Sequence, residues 1–279
     1  MAIYVTSDAH GHVRALDEAL SKISLASDDT LYVLGDMIDR GPDPVGVIKL
    51  VRSLSNARVL KGNHEQIMLD AIIGQDPLDA ETWDINGGWT TRQQLNDMEF
   101  EAYEELVRWM ATLPLYAVVE TDERPYLLVH AGIQTEAARA FLFEHGVDCA
   151  DGTGAVDADR ELLKQMLAVQ SSDDLLWIRH GYWDAPTGLL SAEGKGPVVV
   201  SGHTPTVSLG RYCEVGGLAG LDEESGRGQM VRLGGEDTAG VPDRIDIDCS
   251  AAAGAPRGRV GLVRLDDGAA WYGTIKDGE

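Results

Sequence analysis

The chain has 279 residues, a formal net charge of −23 and only three cysteines. An acidic surface disfavours loose binding to nucleic acid or to anionic membranes, although bound divalent metals can invert the field at one site. No run of about 18 apolar residues occurs, so we expect no transmembrane helix. Cys149, Cys213 and Cys249 are odd in number and form no CxxC pair, which indicates a reducing, cytoplasmic setting without disulfides.

Short apolar runs alternate with helical patterns along most of the chain, which is typical of an α/β fold. The apolar runs predict strands at 2–6, 31–34, 57–60, 115–120, 126–129 and 197–201. Apolar residues at helical spacing predict helices at 13–23, 44–54, 66–73, 101–113, 134–143 and 160–169. We interpret the tail, 244–272, as two or three strands, and the glycine-rich, charged span from Gly216 to Gly240 as a mobile loop.

We predict a single domain over residues 1–279, with a small cap inserted at about 75–113. The segment 75–100 is rich in carboxylates and places Trp83 and Trp89 around the turn Asn86-Gly87-Gly88. This composition indicates an irregular helical cap rather than a separate domain. A helix that Pro114 stops follows the cap segment.

Five of the predicted strands end in loops whose residues are able to bind a metal ion or to transfer a proton. These residues are Asp8 with His10, Asp36, Asn63 with His64, His130, and His203. In α/β sheets, ligands bind outside the carboxyl ends of the strands, so we expect the five loops to converge. Four of the seven histidines fall at these positions, which argues against isolated histidines in unrelated turns.

The candidate ligands are carboxylate, amide and imidazole groups, without thiolate. Such a set favours two divalent ions of the manganese, iron or zinc kind over a structural zinc. Asp8 and His10 are two residues apart, and in an extended segment both would point to the same side and grip one ion. Asp36, on the central segment, is the candidate to bridge two ions. Two such ions could activate a hydroxide and clamp phosphate oxygens.

The segment from Gly35 to Gly41 adds two further charged side chains next to Asp36. The guanidinium of Arg40 is able to bind an anion such as phosphate through a bidentate fork. Taken alone, this stretch also allows a plain polar turn with a local ion pair between Asp39 and Arg40.

Five short blocks follow one another along the chain. They are Asp8-Ala9-His10-Gly11, Gly35-Asp36-Met37-Ile38-Asp39-Arg40-Gly41, Gly62-Asn63-His64-Glu65, His130-Ala131-Gly132 and Gly202-His203-Thr204. In this order they resemble the calcineurin-like metallophosphoesterases, and the second and third blocks resemble the phosphoprotein-phosphatase branch. Bacterial serine/threonine phosphatases and symmetrical diadenosine tetraphosphate hydrolases share that branch. The resemblance covers about residues 2–210 and implies a β-sandwich of mixed sheets flanked by helices.

The resemblance also implies a role for each matching residue. The first metal would be held by Asp8, His10 and Asp36, and the second by Asp36, Asn63, His130 and His203. Arg40 would bind the substrate phosphate. Arg179 resembles the family's second phosphate-binding arginine, because it follows Trp177-Ile178 and precedes the last metal histidine.

The resemblance assigns proton transfer to one further pair. His64 would protonate the leaving oxygen while Asp39 orients its ring. The chemistry supports this, because an alkoxide leaving group needs a proton, and a histidine held by a carboxylate supplies one near neutral pH. Because His64 directly follows Asn63, its side chain would point away from the metal in an extended segment.

Two positions depart from the family pattern. Ser7 precedes the first aspartate where the family usually has glycine, which is a small change. Ile247-Asp248-Cys249-Ser250 stands where the family often has isoleucine-aspartate-threonine-glycine, which weakens any inference about the carboxy-terminal edge of the pocket.

These observations predict metal-dependent hydrolysis of phosphate monoesters by a hydroxide that two metals, preferably manganese, activate. The leading interpretation is a bacterial-type serine/threonine protein phosphatase that acts on a phosphorylated protein or a small phosphate ester. A symmetrical diadenosine tetraphosphate hydrolase would use the same site, although the acidic cap mildly disfavours a polyanionic dinucleotide. A catalytically silent metal-bound scaffold would not need Asp39, Arg40 and His64, and the net charge disfavours a nuclease.

Overall fold

The computed structural model describes residues 1–74, 76–214 and 220–279, and ten strands form its two sheets. They are β1 (Ile3–Thr6), β2 (Thr30–Val33), β3 (Ala57–Val59), β4 (Tyr116–Glu120), β5 (Pro125–Val129), β6 (Val198–Ser201), β7 (Val231–Leu233), β8 (Arg244–Asp246), β9 (Arg259–Arg264) and β10 (Ala270–Thr274). The sheet orders are β10-β9-β1-β2-β3 and β4-β5-β6-β8-β7. Because β1, β2 and β3 run parallel, as do β5, β6 and β8, their carboxyl ends meet at one edge of each sheet.

Nine α-helices lie within the same residues. They are α1 (Val13–Ser21), α2 (Pro44–Ser53), α3 (Asn63–Ile73), α4 (Pro77–Ile85), α5 (Trp89–Asn96), α6 (Phe100–Ala111), α7 (Thr135–Glu144), α8 (Arg160–Ala168) and α9 (Ser172–Trp177). Local sequence explains several of their starts. In α2, for example, Pro44 is the first helical residue and Asp43 accepts a hydrogen bond from the N–H of Gly46 at 2.9 Å. None of the described helices is long and apolar enough to cross a lipid bilayer.

The two sheets pack against each other through a shared apolar layer. Val5 of β1 and Leu34, which directly follows β2, are fully buried in one cluster with Leu128 and Val200 of the second sheet. Burial of each such side chain contributes about 1.5–3 kcal/mol to stability. A second apolar cluster packs α1, α2, α3 and α6 on the outer face of the first sheet, and a third packs α7 and α8 on the second. The molecule is therefore the predicted α/β sandwich of mixed sheets flanked by helices.

Most predicted elements agree with the structure to within one or two residues at each end, and two predictions differ by more. The helix predicted at 66–73 begins three residues earlier, at Asn63, because the Glu65 side chain accepts the N–H of Gly62 at 2.9 Å and closes the first turn. The loop predicted from Gly216 to Gly240 is wrong at Val231–Leu233, which forms β7. This three-residue strand is held by its pairing with β8, a contact that no local pattern reveals. Residues 216–219 lie outside the described part of the chain.

The predicted cap region contains α4, α5 and α6, and Gln75 lies outside the described residues. The turn Asn86-Gly87-Gly88 joins α4 to α5. It reaches the loop that follows β2, because the N–H of Arg40 donates to the carbonyl of Gly87 at 3.0 Å. The cap therefore contacts the same sheet edge at which the predicted site residues lie.

Candidate metal centre and active site

Six side chains with metal-binding atoms meet where the parallel strands of both sheets end. They are Asp8 and His10 after β1, Asp36 after β2, Asn63 at the start of α3, His130 after β5 and His203 after β6. Each is at most 5% exposed. The structure thus brings together all six predicted ligands, and a hydrogen bond from the N–H of His203 to Asp8 joins positions 195 residues apart.

Left-handed backbone conformations turn several of these side chains inward. The φ angles of Asp8, His10, Asp36 and His203 are 52°, 42°, 51° and 65°, in a region that residues other than glycine rarely adopt. The prediction that Asp8 and His10 converge because their segment is extended is therefore wrong in its reason, since a left-handed turn brings them together. Such conformations cost on the order of 1–3 kcal/mol each and cluster at functional sites.

The first group of donor atoms lies around His10. Its Nδ1 is 2.9 Å from the carbonyl oxygen of Ile38, which places the proton on Nδ1 and leaves a lone pair on Nε2. That Nε2 faces Oδ2 of Asp36 at 3.5 Å and Oδ1 of Asp8 at 4.0 Å. Oδ1 of Asp8 is buried and has no hydrogen-bond partner within residues 1–74, 76–214 and 220–279. His10 Nε2 therefore faces one carboxylate oxygen of each aspartate, an arrangement that a cation would stabilise. Among the described residues, the ligand atoms of His10, Asp36 and His64 lie within 4.8 Å of one another, so His64 also borders this position.

The second group of donor atoms surrounds the amide of Asn63. Its Oδ1 is 2.8 Å from Nε2 of His130 and 2.8 Å from Nδ1 of His203. Nδ1 of His130 is 2.7 Å from the carbonyl oxygen of Leu34, so Nε2 of a neutral His130 ring carries a lone pair. Two acceptors that face each other at this distance repel, and a cation that both atoms coordinate would relieve the repulsion. Oδ1 of Asp36 completes the group, 3.5 Å from Nε2 of His130.

Asp36 connects the two groups, with one oxygen facing each. Burial, with the charge of Asp8, raises the pKa of Asp36 well above its usual range. Burial also holds the pKa values of His10 and His203 well below their usual range, which keeps both rings neutral at neutral pH. Neutral imidazoles, carboxylates and an amide oxygen suit divalent ions of the manganese, iron or zinc kind. The donor set therefore fits the metals that the sequence predicts.

His64 lies next to this cluster and bonds to Asp39. Its Nδ1 is 2.7 Å from Oδ2 of Asp39, and its Nε2 is 2.8 Å from a terminal nitrogen of Arg40. Burial raises the pKa of Asp39 to about 6 and, with Arg40, holds the pKa of His64 well below its usual range. Nε2 of His64 is also 3.9 Å from Oδ2 of Asp36, so His64 borders the first donor group.

Asn63 and His64 occupy the first turn of α3 rather than the end of an extended segment. Consecutive helical residues still diverge, by about 100°, so Asn63 faces His130 while His64 faces Asp39. The N–H of His64 donates to Oδ1 of Asp36 at 3.0 Å. The N-terminus of α3 therefore points at the cluster, where the helix dipole favours a bound anion such as phosphate.

Two guanidinium groups, those of Arg40 and Arg179, reach the cluster. Nη1 of Arg40 is 3.3 Å from Nε2 of His10. Nη2 of Arg179 donates to the carbonyl oxygen of His203 at 3.3 Å, and its Cζ lies 5.9 Å from the ring centroid of Tyr212. Among the described residues, neither arginine forms an ion pair with a carboxylate. The alternative of a local ion pair between Asp39 and Arg40 is therefore not what the loop adopts.

Glu65 connects the loop after β2 to the start of α3, although the sequence analysis assigns it no role. It is fully buried, and its carboxylate accepts the N–H groups of Asp36, Met37 and Gly62 at 2.8, 2.9 and 2.9 Å. It thereby ties the loop after β2 to the start of α3. The signal that could have revealed it is its position three residues after Gly62, which is that of a capping-box glutamate.

Asp246 and Asp248, at the end of β8, also border the centre. Both are essentially fully buried, and burial raises the pKa of each well above its usual range, with Asp8 as a further cause. They add a sixth strand end to the five that the sequence predicts. The sequence signal that could have revealed these two carboxylates is their alternation with Ile247 in a predicted strand.

Trp83 and Thr91, in the cap, bond to Asp39 and were likewise not predicted as part of the site.

A family model supplies the comparison that identifies this arrangement. The model of the calcineurin-like phosphoesterases matches residues 1–225 of the chain. The chain belongs to the calcineurin-like phosphoesterase family. It is therefore a phosphoric ester hydrolase of a family that uses divalent metals, as the five sequence blocks imply.

Two bacterial proteins illustrate the similarity to known sequences. A symmetrical bis(5'-nucleosyl)-tetraphosphatase of Proteus mirabilis (strain HI4320) is 29% identical over 222 residues, which are 76% of this calcineurin-like phosphoesterase and 68% of the relative. A protein of the same name from Erwinia tasmaniensis is 32% identical over 136 residues, which are 48% of this chain and 45% of the relative. The chain thus matches about two thirds of one relative's length and less than half of the other's.

The fold also matches a solved structure. A crystal structure provisionally described as a diadenosine tetraphosphatase superposes with a TM-score of 0.54 at 18% identity, and the match covers 99% of this chain and 95% of that one. At this identity the likeness concerns the fold. It agrees with the sandwich of two mixed sheets described above.

Proposed function

We propose that this calcineurin-like phosphoesterase hydrolyses phosphate monoesters at a centre of two divalent cations, with manganese as the preferred ion. The observation that carries the proposal is the position of Asp36, whose two oxygens face separate donor groups beside the His64–Asp39 pair. A metal-bound scaffold without activity would need neither that pair nor the adjacent arginine, so these residues support catalysis.

The two donor groups define which residues would hold the cations. One cation would bind Asp8, His10 and Asp36, and the other Asp36, Asn63, His130 and His203. Such cations, when bound, lower the pKa of a coordinated water and neutralise charge on phosphate oxygens. Arg40 and Arg179 would bind the phosphate, because both guanidinium groups lie beside the donor atoms without a carboxylate partner among the described residues.

His64 would donate the proton that the leaving oxygen requires, and Asp39 would hold the ring by its bond to Nδ1. Burial and Arg40 lower the pKa of His64, which favours the neutral ring before substrate binds. A phosphate dianion nearby has the opposite effect, because an anion favours the charged imidazole. Binding of the substrate would therefore charge the acid that the reaction uses.

Phosphoserine or phosphothreonine in a protein, or a small phosphate ester, is the first substrate candidate. An alkoxide is a poor leaving group and needs a proton, so an acid in the position of His64 supports such a substrate.

Cys149, Cys213 and Cys249 are free thiols, which supports the proposed cytoplasmic setting.

A symmetrical dinucleoside tetraphosphate is the second candidate. It is favoured by the names of the relatives from Proteus mirabilis and Erwinia tasmaniensis, which are symmetrical bis(5'-nucleosyl)-tetraphosphatases. The net charge of −23 acts against a polyanion, although two bound cations and two arginines would offset this locally. The two candidates would share one site and differ in what contacts the leaving group.

A substrate panel tests both candidates. Protein dialysed against chelator is assayed with manganese or magnesium on p-nitrophenyl phosphate, its bis-ester, a phosphoserine peptide and diadenosine tetraphosphate. We expect no hydrolysis in chelator and better recovery with manganese, because imidazole and amide ligands favour the softer ion. Faster turnover of the peptide supports the first candidate, and faster turnover of the tetraphosphate the second. Full activity in excess chelator after prolonged dialysis would contradict the two-metal proposal.

A further inference from the structure

Residues of the cap hold the carboxylate of Asp39, in addition to His64. Oγ1 of Thr91 donates to Oδ1 at 2.6 Å, and the indole Nε1 of Trp83 lies 3.1 Å from both carboxylate oxygens. Oγ1 of Thr91 in turn accepts the N–H of Asp39 at 2.9 Å. One hydroxyl therefore grips the side chain and the main chain of Asp39 together. All three residues are buried.

The turn between α4 and α5 has the shape that these bonds need. Gly87 has a φ of 93°, and a Cβ on it would lie 2.9 Å from Cγ of Arg40. A Cβ on Gly88 would lie 2.3 Å from Nε1 of Trp83 and would push the indole away from Asp39. Gly88 thus leaves room for the Trp83 indole that reaches Asp39, and Gly87 leaves room for Arg40.

We propose that Thr91 and Trp83 are positioning residues for the general acid, which hold Asp39 so that His64 presents Nε2 to the leaving oxygen. The inference rests on the proposed hydrolysis of phosphate esters and extends it to the cap. Neither residue touches the phosphate, and each acts through Asp39 and His64. The cap then takes part in proton transfer as well as bordering the site.

The physical reason is the cost of leaving a buried carboxylate oxygen without a donor. With Thr91 and Trp83 in place, the Asp39 carboxylate has one orientation, so its bond to Nδ1 of His64 has a defined direction. Burial raises the pKa of Asp39, and the bonds from Thr91 and Trp83 lower it. Loss of a donor would let the carboxylate rotate or take up a proton, and a protonated Asp39 does not stabilise a charged imidazole.

The test compares Thr91→Val with Thr90→Val in the full-length, manganese-loaded protein. Thr90 is also buried, and its hydroxyl has no hydrogen-bond partner among the described residues, so Thr90→Val removes a hydroxyl without removing a bond. Activity is measured on p-nitrophenyl phosphate, phenyl phosphate and a phosphoserine peptide. Their leaving groups need increasing protonation in that order.

Thr91→Val should lose about 10- to 100-fold in kcat on the phosphoserine peptide, the size expected for one hydrogen bond to a charged group. The loss on p-nitrophenyl phosphate should be distinctly smaller. Thr91→Ser restores the hydroxyl and should recover most of the activity, and Thr90→Val should match the wild type on every ester. Metal content and Tm are measured for each variant.

Trp83→Phe gives an independent second test, because it keeps an aromatic ring and removes the N–H donor. It should show the same dependence on the leaving group, whether or not Thr91→Val folds. Equal losses on all three esters, or wild-type kinetics in both variants, would overturn the positioning role while the proposed hydrolysis stands. A wild-type protein that hydrolyses none of the esters would overturn the proposed function, and this inference with it.

Discussion

At the scale of single residues, His64 is held between a carboxylate and a guanidinium. Its Nδ1 lies 2.7 Å from Asp39 and its Nε2 2.8 Å from Arg40. Because Nδ1 donates to the carboxylate, Nε2 of the neutral ring accepts from Arg40. We therefore expect Arg40 to exchange His64 for phosphate when substrate binds, which would free Nε2 for the leaving oxygen.

Replacement of His64 tests this assignment. His64→Asn should retain both metals, lose about 10²–10⁴-fold on a phosphoserine peptide and lose distinctly less on p-nitrophenyl phosphate, because p-nitrophenolate leaves without much protonation. Asp39→Asn should show a milder form of the same bias, since Asp39 acts only through the imidazole. Steady-state kinetics on the two esters, with elemental analysis of each variant, provide the measurement.

Two results would contradict the role of His64 as the general acid. One is an equal loss on both esters, and the other is loss of a metal from the His64→Asn protein. The second result is a demanding test, because Nε2 of His64 lies only 3.9 Å from Oδ2 of Asp36. A solvent viscosity control establishes that chemistry limits the rate.

The residue types of the site could be predicted from the sequence, whereas the contacts between them could not. Asp8 and His10 were expected to converge along an extended strand, yet they do so through left-handed conformations that depend on the packing of neighbouring loops. Glu65 and Thr91 act through hydrogen bonds to residues 28 to 52 positions away, and a single sequence shows no trace of such pairs.

At the scale of elements, the turn Asn86-Gly87-Gly88 connects the cap to the loop that follows β2. Gly87 accepts the N–H of Arg40, and its own left-handed φ of 93° excludes a comfortable side chain. The sequence predicts this turn as part of the cap but does not show why two consecutive glycines are needed there. Their reason is tertiary, because Arg40 and the Trp83 ring occupy the space that two Cβ atoms would take.

Gly87→Ala should weaken phosphate binding beyond its effect on stability. The new Cβ would press on Arg40, so we expect a raised KM for p-nitrophenyl phosphate and weaker inhibition by inorganic phosphate. Gly146→Ala is the matched control, because Gly146 has a similar φ of 86° but no atom within 4 Å of its Cβ position. Both variants should lose roughly 1–2 kcal/mol of stability from left-handed strain. A KM that changes equally in both variants would refute the link between the turn and Arg40.

At the scale of the whole molecule, the centre joins the two sheets and buries carboxylates between them. The raised pKa of Asp36 means that the metal-free folded state keeps a proton that the unfolded chain releases above about pH 4. The free energy of unfolding of the metal-free protein therefore falls as pH rises from about 4 towards the folded pKa of Asp36, where the buried carboxyl becomes charged. The lowered pKa values of His10 and His203 act in the opposite direction only up to about pH 6.5, where the unfolded histidines also become neutral.

Stabilisation by manganese should therefore increase with pH. Metal binding displaces protons from its ligands, so the rise in Tm on adding manganese should be larger at pH 8 than at pH 6. Differential scanning fluorimetry with chelator or manganese at both pH values measures this. Asp36→Asn, which lacks the connecting carboxylate, should lose most of the shift. A manganese-induced shift in Tm that is the same at pH 6 and pH 8 would contradict the linkage.

The architecture was predictable in its main parts because apolar runs and helical periodicity are local signals. The hairpin of β4 and β5, the strands that lead to the site and the strand-rich tail all follow the predicted order. The short strand β7 was not predicted, because three residues carry too little periodicity and its pairing partner β8 begins only at Arg244. The division into one domain with a cap stays a prediction.

The proposed metal ligands are widely spaced along the chain, which has a consequence for synthesis of the protein. The bond between His203 and Asp8 closes a loop of nearly two hundred residues, and contacts of such separation form late in folding because loop closure must precede them. A nascent chain that already carries Asp36 and His64 still lacks the last ligand until most of the polypeptide has left the ribosome. We expect incomplete chains to be inert towards the phosphate esters around them, with hydrolysis beginning only when folding brings the two ends of the ligand set together.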